Sequence, residues 1–160
     1  MDIFKELVPL LKEKNLTIAC AESCTGGLLS SKITDVSGAS SVFLGSVVSY
    51  TNPVKMKALG VKKSTIDKYS EVSYKCAKEM AYGIRTKLFS DIGVSITGVA
   101  GPTGGDEINP VGTVYVGFSF EDSLYSIRLS FPKHFSREKI KRSTCYVIGK
   151  MLVKKIHKKY

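Results

Sequence analysis

Three short segments of the sequence combine serine, threonine or lysine with small residues, where core packing would favour bulky side chains. They are residues 21–27, 49–55 and 95–105, and each lies at the end of a stretch that predicts a buried strand. In open α/β sheets, ligands bind in the crevice beyond the carboxyl ends of the strands. We therefore expect the three segments to converge on one pocket.

The first segment reads Ala-Glu-Ser-Cys-Thr-Gly-Gly over residues 21–27, between a predicted strand and a predicted helix. One interpretation is structural, with Ser23 or Thr25 as the helix N-cap and the glycines forming the turn. The other is functional, with a nucleophile or an anion cradle at the positive end of the helix. The Gly-Lys-Ser/Thr ending of nucleotide-hydrolysing phosphate loops is missing.

The second segment, residues 49–55, reads Ser-Tyr-Thr-Asn-Pro-Val-Lys. A serine hydroxyl needs a base before it can attack a carbonyl. Both histidines lie in the basic C-terminal part, which argues against a Ser-His-Asp triad, whereas a desolvated lysine can be the base. Lys55 lies one turn into a helix predicted from Asn52 and can point back over the strand end, where Tyr50 could relay a proton. In the alternative, Lys55 is one of several solvated lysines.

The third segment, residues 95–105, runs into a loop that carries four glycines between residues 98 and 105. Glycines let backbone N–H groups approach a ligand and form a concave nest of donors, which suits a phosphate or an oxyanion. The alternative is a flexible loop that binds nothing.

Hydrophobic periodicity predicts the elements that position these segments. We expect helices over residues 2–14, 28–34, 73–89 and 136–157, a further helix from residue 52, and strands over residues 16–20, 42–50, 92–97, 111–120 and 124–131. Asp2 is the expected cap of the first helix, and Pro9 predicts a kink or an early end. The last two strands predict a hairpin with one face buried, and therefore a mixed sheet with helices on both faces.

The composition is that of one soluble globular domain. The chain has 160 residues, a net charge of +10 and 43% apolar residues, and it lacks an apolar run of the ~20 residues that a membrane helix needs. The N-terminus has no pattern of a secretory signal, so we expect a cytoplasmic protein. The four cysteines form no Cys-x-x-Cys pair and lie near no histidine, so we expect reduced core thiols and no metal site.

The positive charge is concentrated in residues 131–160, which hold ten basic residues and one acidic residue. We interpret this as a lysine-rich solvated helix face that ends in a basic tail over residues 151–160. The alternative is a segment that attracts nucleic acid. It predicts binding that weakens steeply with salt and is lost when residues 150–160 are removed.

Four motifs, taken in order, resemble the C-terminal domain of the CinA competence/damage-inducible family, which is also known as nicotinamide-nucleotide amidase. They are residues 21–27, Tyr50-Thr51-Asn52 followed by Lys55, Ser95-Ile96-Thr97-Gly98 running into Ala100-Gly101-Pro102 and Gly104-Gly105, and Pro110-Val111-Gly112-Thr113-Val114. The resemblance covers about residues 5–150. It implies a single-domain, three-layer α/β/α sandwich around a mixed β-sheet. Many family members carry a larger N-terminal domain, and because Met1 lies just ahead of the matching region, we expect the stand-alone form.

The resemblance also implies an activity, which is hydrolysis of the amide of nicotinamide mononucleotide to give nicotinate mononucleotide and ammonia, in pyridine nucleotide recycling, with no metal and no cofactor. Ser23 is then the nucleophile, Lys55 its base, and Tyr50 assists proton transfer. The resemblance implies that Glu22 orients the first loop and that the oxyanion is bound at Cys24, Thr25 and Gly26. It also implies that the ribose or phosphate is bound at Thr97, Gly98, Gly101 and Gly105. Arg142 is the implied bidentate donor to the phosphate. Asp106 and Glu107 would repel a phosphate, so we expect both to point to solvent.

Other functions stay open at this point. The same scaffold could serve as a non-catalytic nucleotide-binding module or as a regulatory module linked to competence and DNA damage, because fold does not fix function. It could also hydrolyse a different small amide. For partners we expect a small nucleotide substrate and neither a membrane nor a nucleic acid. The apolar hairpin edge and the amphipathic last helix favour a homo-oligomer, most simply a dimer.

Overall fold

In the computed structural model, which describes residues 2–160, the chain forms six α-helices and five strands. The strands are β1 (Ile18–Glu22), β2 (Phe43–Val48), β3 (Ile92–Gly98), β4 (Thr113–Ser119) and β5 (Leu124–Ser130). The helices are α1 (Phe4–Glu13), α2 (Leu28–Thr34), α3 (Asn52–Leu59), α4 (Lys63–Tyr69), α5 (Tyr74–Leu88) and α6 (Arg137–Lys159), and a short 3-10 turn covers Ala39–Ser41.

The five strands form one mixed sheet in the order β2-β1-β3-β4-β5. Strand β1 pairs in parallel with both β2 and β3, so that Glu22 lies opposite Val48 on one side and Ile96 on the other. Strands β3, β4 and β5 pair antiparallel in turn, which makes β5 parallel to β3. The carboxyl ends of β1, β2, β3 and β5 therefore meet at one edge of the sheet, and the expected mixed sheet is confirmed.

Helices cover both faces of this sheet, which confirms the three-layer α/β/α sandwich. On one face, α1, α2 and α6 pack over a large core that includes Ile18, Val116, Phe118, Ile148 and Leu152. On the other face, α3 and α5 enclose a smaller core that joins Leu59, Cys76, Met80 and Ile84 to the alanines of β1. Alternate residues of β1 point to opposite faces, so this strand contributes to both cores.

Helix α1 continues through Pro9 to Glu13, where the sequence predicted a kink or an early end. Proline removes one backbone hydrogen bond from the interior of a helix. The residues on both sides, Val8 and Leu10, are buried, and the packing of this apolar stripe offsets that loss. Asp2 serves as expected at the start of the helix, since its Oδ1 accepts a hydrogen bond of 3.1 Å from the N–H of Phe4.

The prediction of one buried face holds for β5 but is wrong for β4. Tyr115, Gly117 and Ser119 alternate with apolar residues and were expected on an open face, yet every residue of β4 is buried. The reason is the position of β4 inside the sheet, where α5 covers the second face. Strand β5 lies at the edge, where half-buried and exposed residues alternate from Ile127 to Ser130, while Ser126 is half-buried as well.

Residues 151–159 of the expected basic tail belong to α6, which continues to Lys159. Leu152, Val153 and Ile156 are buried in this last part, Lys154 is exposed, and Lys155 is half-buried. Apolar residues at helical spacing thus extend the core to the end of α6. None of the helices within residues 2–160 combines the length and apolar content that crossing a bilayer would require.

Helix α5 approaches its neighbours closely because glycines stand at the points of contact. A Cβ at Gly117 of β4 would overlap the carbonyl oxygen of Ala77 on α5, and a Cβ at Gly83 of α5 would overlap the carbonyl oxygen of Leu59 at the end of α3. Helix α3 therefore rests on bare backbone of α5. This contact fixes the height of α3 above the sheet, and with it the position of the lysine that α3 carries.

We expect Gly83→Ala to lower the free energy of unfolding by about 1–3 kcal/mol, although alanine is the better helix former by about 1 kcal/mol. The added methyl group would overlap the backbone of Leu59, which can move only together with α3. Urea denaturation measures the change. Gly149→Ala is the control, since its methyl group would meet only the side chain of Ile3, 2.6 Å from Cγ2. Equal stability of the two variants would contradict this account of the packing.

Candidate active site

Ser23 follows directly after β1 and lies at the start of a tight turn. Its N–H donates to the carbonyl of Ile96 at 2.9 Å, and its own carbonyl accepts from the N–H of Gly26 at 3.0 Å. Gly26 and Gly27 have φ values of +60° and +101°, which only glycine adopts without strain. The side chain of Ser23 is 8% exposed. The turn therefore presents one hydroxyl at the carboxyl end of the sheet.

A buried carboxylate, that of Glu22, holds this turn against α2. Its Oε1 accepts from the Thr25 hydroxyl at 2.7 Å and from the N–H of Leu29 at 2.9 Å. Its Oε2 accepts from the N–H of Ser30 at 3.0 Å and from the Ser30 hydroxyl at 2.6 Å. The charge of Glu22 thus satisfies free N–H groups at the first turn of the helix. Glu22 positions the turn and does not line the cleft.

Lys55 is carried by α3, which begins at Asn52 with Pro53 in its first turn, as the sequence predicted. The Nζ atom of Lys55 lies 3.0 Å from the Ser23 Oγ and donates to the carbonyl of Ser49 at 2.8 Å. The side chain is 1% exposed. Burial lowers the pKa of Lys55, because the charged form loses its hydration, and Cys76, Glu71 and Cys24 oppose this shift. The geometry places an amine of weakened basicity beside a serine hydroxyl.

A cleft with a volume of about 280 Å³ opens over these two side chains. Residues from all three segments singled out in the sequence line it, and they reach it from the carboxyl ends of β1, β2 and β3. Their predicted convergence on one pocket is therefore confirmed. The structure brings eight of the predicted site residues to this cleft, and these are Ser23, Cys24, Tyr50, Lys55, Thr97, Gly98, Gly101 and Gly105.

Thr25 and Gly26 do not line this cleft. Thr25 is buried with its hydroxyl on Glu22. The N–H of Gly26 is engaged by the Ser23 carbonyl, so it cannot also serve an oxyanion. For the backbone of residues 2–160, no carbonyl accepts from the N–H of Cys24 or Thr25. Of these two residues only Cys24 lines the cleft, so its N–H is the one that a bound ligand can reach.

Arg142 does not reach the cleft either, and Arg137 takes its place. Arg142 forms an exposed pair with Glu138, with 2.8 Å between Nη2 and Oε1. The Nη1 of Arg137 donates to the carbonyl of Gly101 at 2.8 Å, and its Nη2 donates to the Tyr50 hydroxyl at 2.9 Å. Five residues correspond to about 140° of rotation around an α-helix, so the two arginines point to different sides of α6.

Tyr50 stands at the rim of the cleft with 58% of its surface exposed. Its hydroxyl accepts from Arg137. Within residues 2–160 this hydroxyl has no direct hydrogen bond to Ser23 or Lys55. The geometry therefore makes Tyr50 a partner of Arg137, and any proton that it transfers would pass through a bound ligand or water.

The glycine-rich loop after β3 forms the third wall of the cleft. The Thr97 hydroxyl donates to the carbonyl of Glu71 at 2.8 Å and so links the start of this loop to the connection before α5. Asp106 and Glu107 are exposed, and both line a separate hollow beside the cleft. Neither carboxylate lines the cleft, and the Asp106 Oδ1 accepts from the N–H groups of Ile108 at 2.9 Å and Asn109 at 2.6 Å.

Three cleft residues, Glu71, Val72 and Arg137, lie outside the segments that the sequence singled out. For Arg137 a signal was present, because it follows a predicted strand and directly follows Ser136, whose hydroxyl caps α6. For Glu71 there was none, since it lies in the short connection between α4 and α5, where no strand ends.

All four cysteines are buried and free. Burial raises the pKa of Cys24 to about 11 and that of Cys76 and Cys145 to about 12. The Cys24 thiol beside Ser23 is therefore protonated at neutral pH. Residues 2–160 contain no group of three or more His, Cys, Asp or Glu side chains that could hold a metal ion.

Comparison with known proteins gives a consistent result. The family model described as the CinA C-terminal domain matches residues 2–156. A protein of Thermoanaerobacter sp. (strain X514), whose name calls it competence-damage inducible, is 55% identical over 123 residues, which are 77% of this chain and 30% of that protein. A CinA-like protein of Petrotoga mobilis is 40% identical over 154 residues, 96% of this chain and 38% of that protein. The chain thus spans about a third of the length of these relatives.

Solved structures agree over nearly the whole chain. A competence-damaged protein (CinA) superfamily protein from Klebsiella pneumoniae 700603 superposes with a TM-score of 0.93 at 28% identity, covering 98% of this chain and 96% of that one. The competence/damage inducible protein CihA from Agrobacterium tumefaciens superposes with a TM-score of 0.91 at 30% identity, covering 96% and 94%.

We expect Glu22→Gln to lower the free energy of unfolding by about 2–3 kcal/mol, because an amide offers one acceptor where the buried carboxylate satisfies four donors at two oxygens. Thermal or urea unfolding measures the loss. Glu138→Gln is the matched control. It removes an exposed helical pair with Arg142 and should cost no more than about 0.5 kcal/mol. A loss at Glu22 as small as that of the control would show that its hydrogen bonds do not hold the turn.

Proposed function

The chain belongs to the CinA C-terminal domain family, and from that premise we propose that it is an amidohydrolase that converts nicotinamide mononucleotide to nicotinate mononucleotide and ammonia. The observation that carries the proposal is the distance of 3.0 Å between the Lys55 Nζ and the Ser23 Oγ. The names of the relatives speak of competence and damage and of no substrate. The chemistry of the Ser23–Lys55 pair and of its cleft therefore carries the proposal.

In the proposed reaction, the neutral amine of Lys55 takes the proton of Ser23 while the Oγ attacks the carboxamide carbon. Burial favours the neutral amine, as its lowered pKa indicates. The Ser49 carbonyl accepts a hydrogen bond from Nζ at 2.8 Å and so holds the amine in place during the transfer. The ammonium of Lys55 then donates this proton to the departing nitrogen, which leaves as ammonia.

The attack produces an oxyanion and then an ester of Ser23. Cys24 lines the cleft, and its N–H group, which no backbone carbonyl of residues 2–160 engages, is the proposed donor to that oxyanion. Water cleaves the ester with Lys55 again as the base. Nicotinate mononucleotide leaves and the Ser23 hydroxyl is restored.

The other wall of the cleft suits the ribose phosphate of the substrate. Arg137 presents a guanidinium group there, which binds phosphate with fixed geometry. Thr97, Gly98, Gly101 and Gly105 lie beside it, and the glycines leave backbone N–H groups accessible. Tyr50 keeps its hydroxyl proton while it accepts from Arg137, so it can donate to the substrate.

Ammonia release from nicotinamide mononucleotide is the direct test. We expect turnover by the wild-type protein, also with a metal chelator present, because each proposed step uses side chains and backbone groups alone. Ser23→Ala should reduce kcat/KM by at least about 10³-fold, and Lys55→Met by at least about 10²-fold, since each variant removes one half of the reacting pair. Methionine fills the volume of the buried lysine without its amine.

The control for this test is Lys57→Met, which alters an exposed lysine on the same helix and should retain full activity. Failure of the folded wild type to release ammonia would overturn the proposal. It would favour a non-catalytic nucleotide-binding module, detected as a rise in melting temperature with added nucleotide.

The pH dependence of kcat/KM tests the role of Lys55 separately. Only the neutral amine can accept a proton, so kcat/KM should rise tenfold per pH unit below the pKa of Lys55 and level off above it. Because burial lowers that pKa, the inflection should fall below the ordinary lysine value of 10.5. Initial rates from about pH 7 to about pH 10 measure the profile. A rate that decreases as the pH rises over this range would exclude Lys55 as the base.

A further inference from the structure

Glu71 contributes the one carboxylate that lines the cleft within the described part of the chain. It shares this cleft with Lys55 and Arg137, which are the two cationic side chains of the lining. Neither the motifs nor the proposed reaction gives Glu71 a role. An acidic group in the same cleft as the proposed base and the proposed phosphate partner requires a physical explanation.

The backbone directly before Glu71 is strained. Ser70, directly before it, has φ +74° and ψ 160°, a region that is essentially restricted to glycine and costs a side chain of order 1–3 kcal/mol. Two local hydrogen bonds hold this conformation. The Ser73 hydroxyl donates to the Ser70 carbonyl at 2.8 Å, and the N–H of Val72 donates to the Ser70 hydroxyl at 3.2 Å. Such strain persists where the surrounding structure fixes it, which occurs most often at functional sites.

Hydrogen bonds from the sheet and the glycine-rich loop fix the backbone next to Ser70. The Thr97 hydroxyl donates to the Glu71 carbonyl at 2.8 Å, and the Asn109 Nδ2 donates to the Val72 carbonyl at 2.9 Å. Tyr115, buried in β4, donates its hydroxyl proton to the Asn109 Oδ1 at 2.9 Å. The backbone at Glu71 is thus tied to the end of β3 and to the glycine-rich loop.

The carboxylate itself is left almost free. Its Oε2 accepts one hydrogen bond of 3.1 Å, from the adjacent Ser70 hydroxyl. Among residues 2–160, no group donates a hydrogen bond to the Glu71 Oε1, and no cationic side chain forms an ion pair with the carboxylate. The fold therefore holds the backbone of Glu71 at several points and leaves a negative charge half-buried in the cleft.

We propose that Glu71 is a specificity-determining residue that binds the positively charged pyridinium ring of the substrate. This inference rests on the proposed function. Nicotinamide mononucleotide carries a fixed positive charge on its ring and negative charge on its phosphate. The cleft offers the complementary pair, with Glu71 for the ring and Arg137 for the phosphate. A neutral aromatic amide would lack the first of these two attractions.

The position of Glu71 relative to Lys55 supports this role. The negative charge of Glu71 raises the pKa of Lys55 and so opposes the effect of burial. In the empty cleft, the Glu71 carboxylate therefore favours the protonated form of Lys55, which cannot act as a base. A bound cation cancels that charge and restores the neutral amine, which links activation of Ser23 to the presence of a charged ring.

The test compares two ligands that differ in one charge. They are nicotinamide mononucleotide and the phosphorylated C-riboside of benzamide, in which a neutral carbon replaces the ring nitrogen. Dissociation constants are measured by calorimetry in the Ser23→Ala protein, so that no turnover occurs. With Glu71 intact, we expect the charged ligand to bind about tenfold more tightly, and Glu71→Gln should remove most of that preference. Affinity for the neutral ligand should stay within about twofold.

Two further variants separate this role from other effects. Glu107→Gln removes an exposed carboxylate outside the cleft and should leave the preference unchanged, whereas Glu71→Asp should retain most of it. Equal affinity of the Glu71-containing protein for the two ligands would overturn the inference, even if Glu71→Gln failed to fold. Equal weakening of both ligands by Glu71→Gln would also overturn it and would indicate a positioning role instead.

The outcomes distinguish this inference from the proposed function. Ammonia release by the wild type together with equal binding of the two ligands would sustain the amidase and reject the role of Glu71. Absence of both ammonia release and binding of either nucleotide would reject the two together.

Discussion

The burial of the Lys55 amine against neutral oxygens is the interaction on which the rest of the site depends. A buried lysine paired with a carboxylate would hold its proton, because the opposite charge stabilises the ammonium form. Here its hydrogen-bond partners are the Ser23 hydroxyl and the Ser49 carbonyl. Each of these two residues directly follows the last residue of a parallel strand. A lysine can be buried at this edge as a base because the sheet supplies polar groups without charge.

The sheet also keeps the second buried charge away from this amine. Glu22 is the last residue of β1, and its carboxylate is satisfied by α2 on one face. Lys55 enters from α3, which packs on the other face with Ala21. Because successive strand residues point to opposite faces, the alternation of β1 separates carboxylate from amine. If the carboxylate of Glu22 lay on the same face as Lys55, the two would form an ion pair. The pair would hold the proton on Lys55, which could then not act as a base.

Sequence patterns predicted the parts of the fold that depend on local order. The turn at Ser23, the helix start at Asn52 and the stripe of α5 follow from residue types and spacing, so the Ser-Lys pair could be anticipated. The open face expected for β4 was wrong because burial by α5 depends on strand order. The choice between Arg137 and Arg142 depends on the rotation of α6. Glu71 was beyond prediction, since the strain at Ser70 exists only where tertiary hydrogen bonds impose it.

The antiparallel hairpin of β4 and β5 explains why the basic helix α6 contributes to the cleft. Strand β4 runs away from the carboxyl edge, and β5 returns the chain to it, so α6 begins where the three segments converge. Arg137 then joins Tyr50 after β2 to Gly101 after β3 through its two hydrogen bonds. An anion bound at Arg137 would therefore act on both walls of the cleft together. A sheet with only parallel strands would need a further crossover to place a cation there, whereas this fold does so with a short turn.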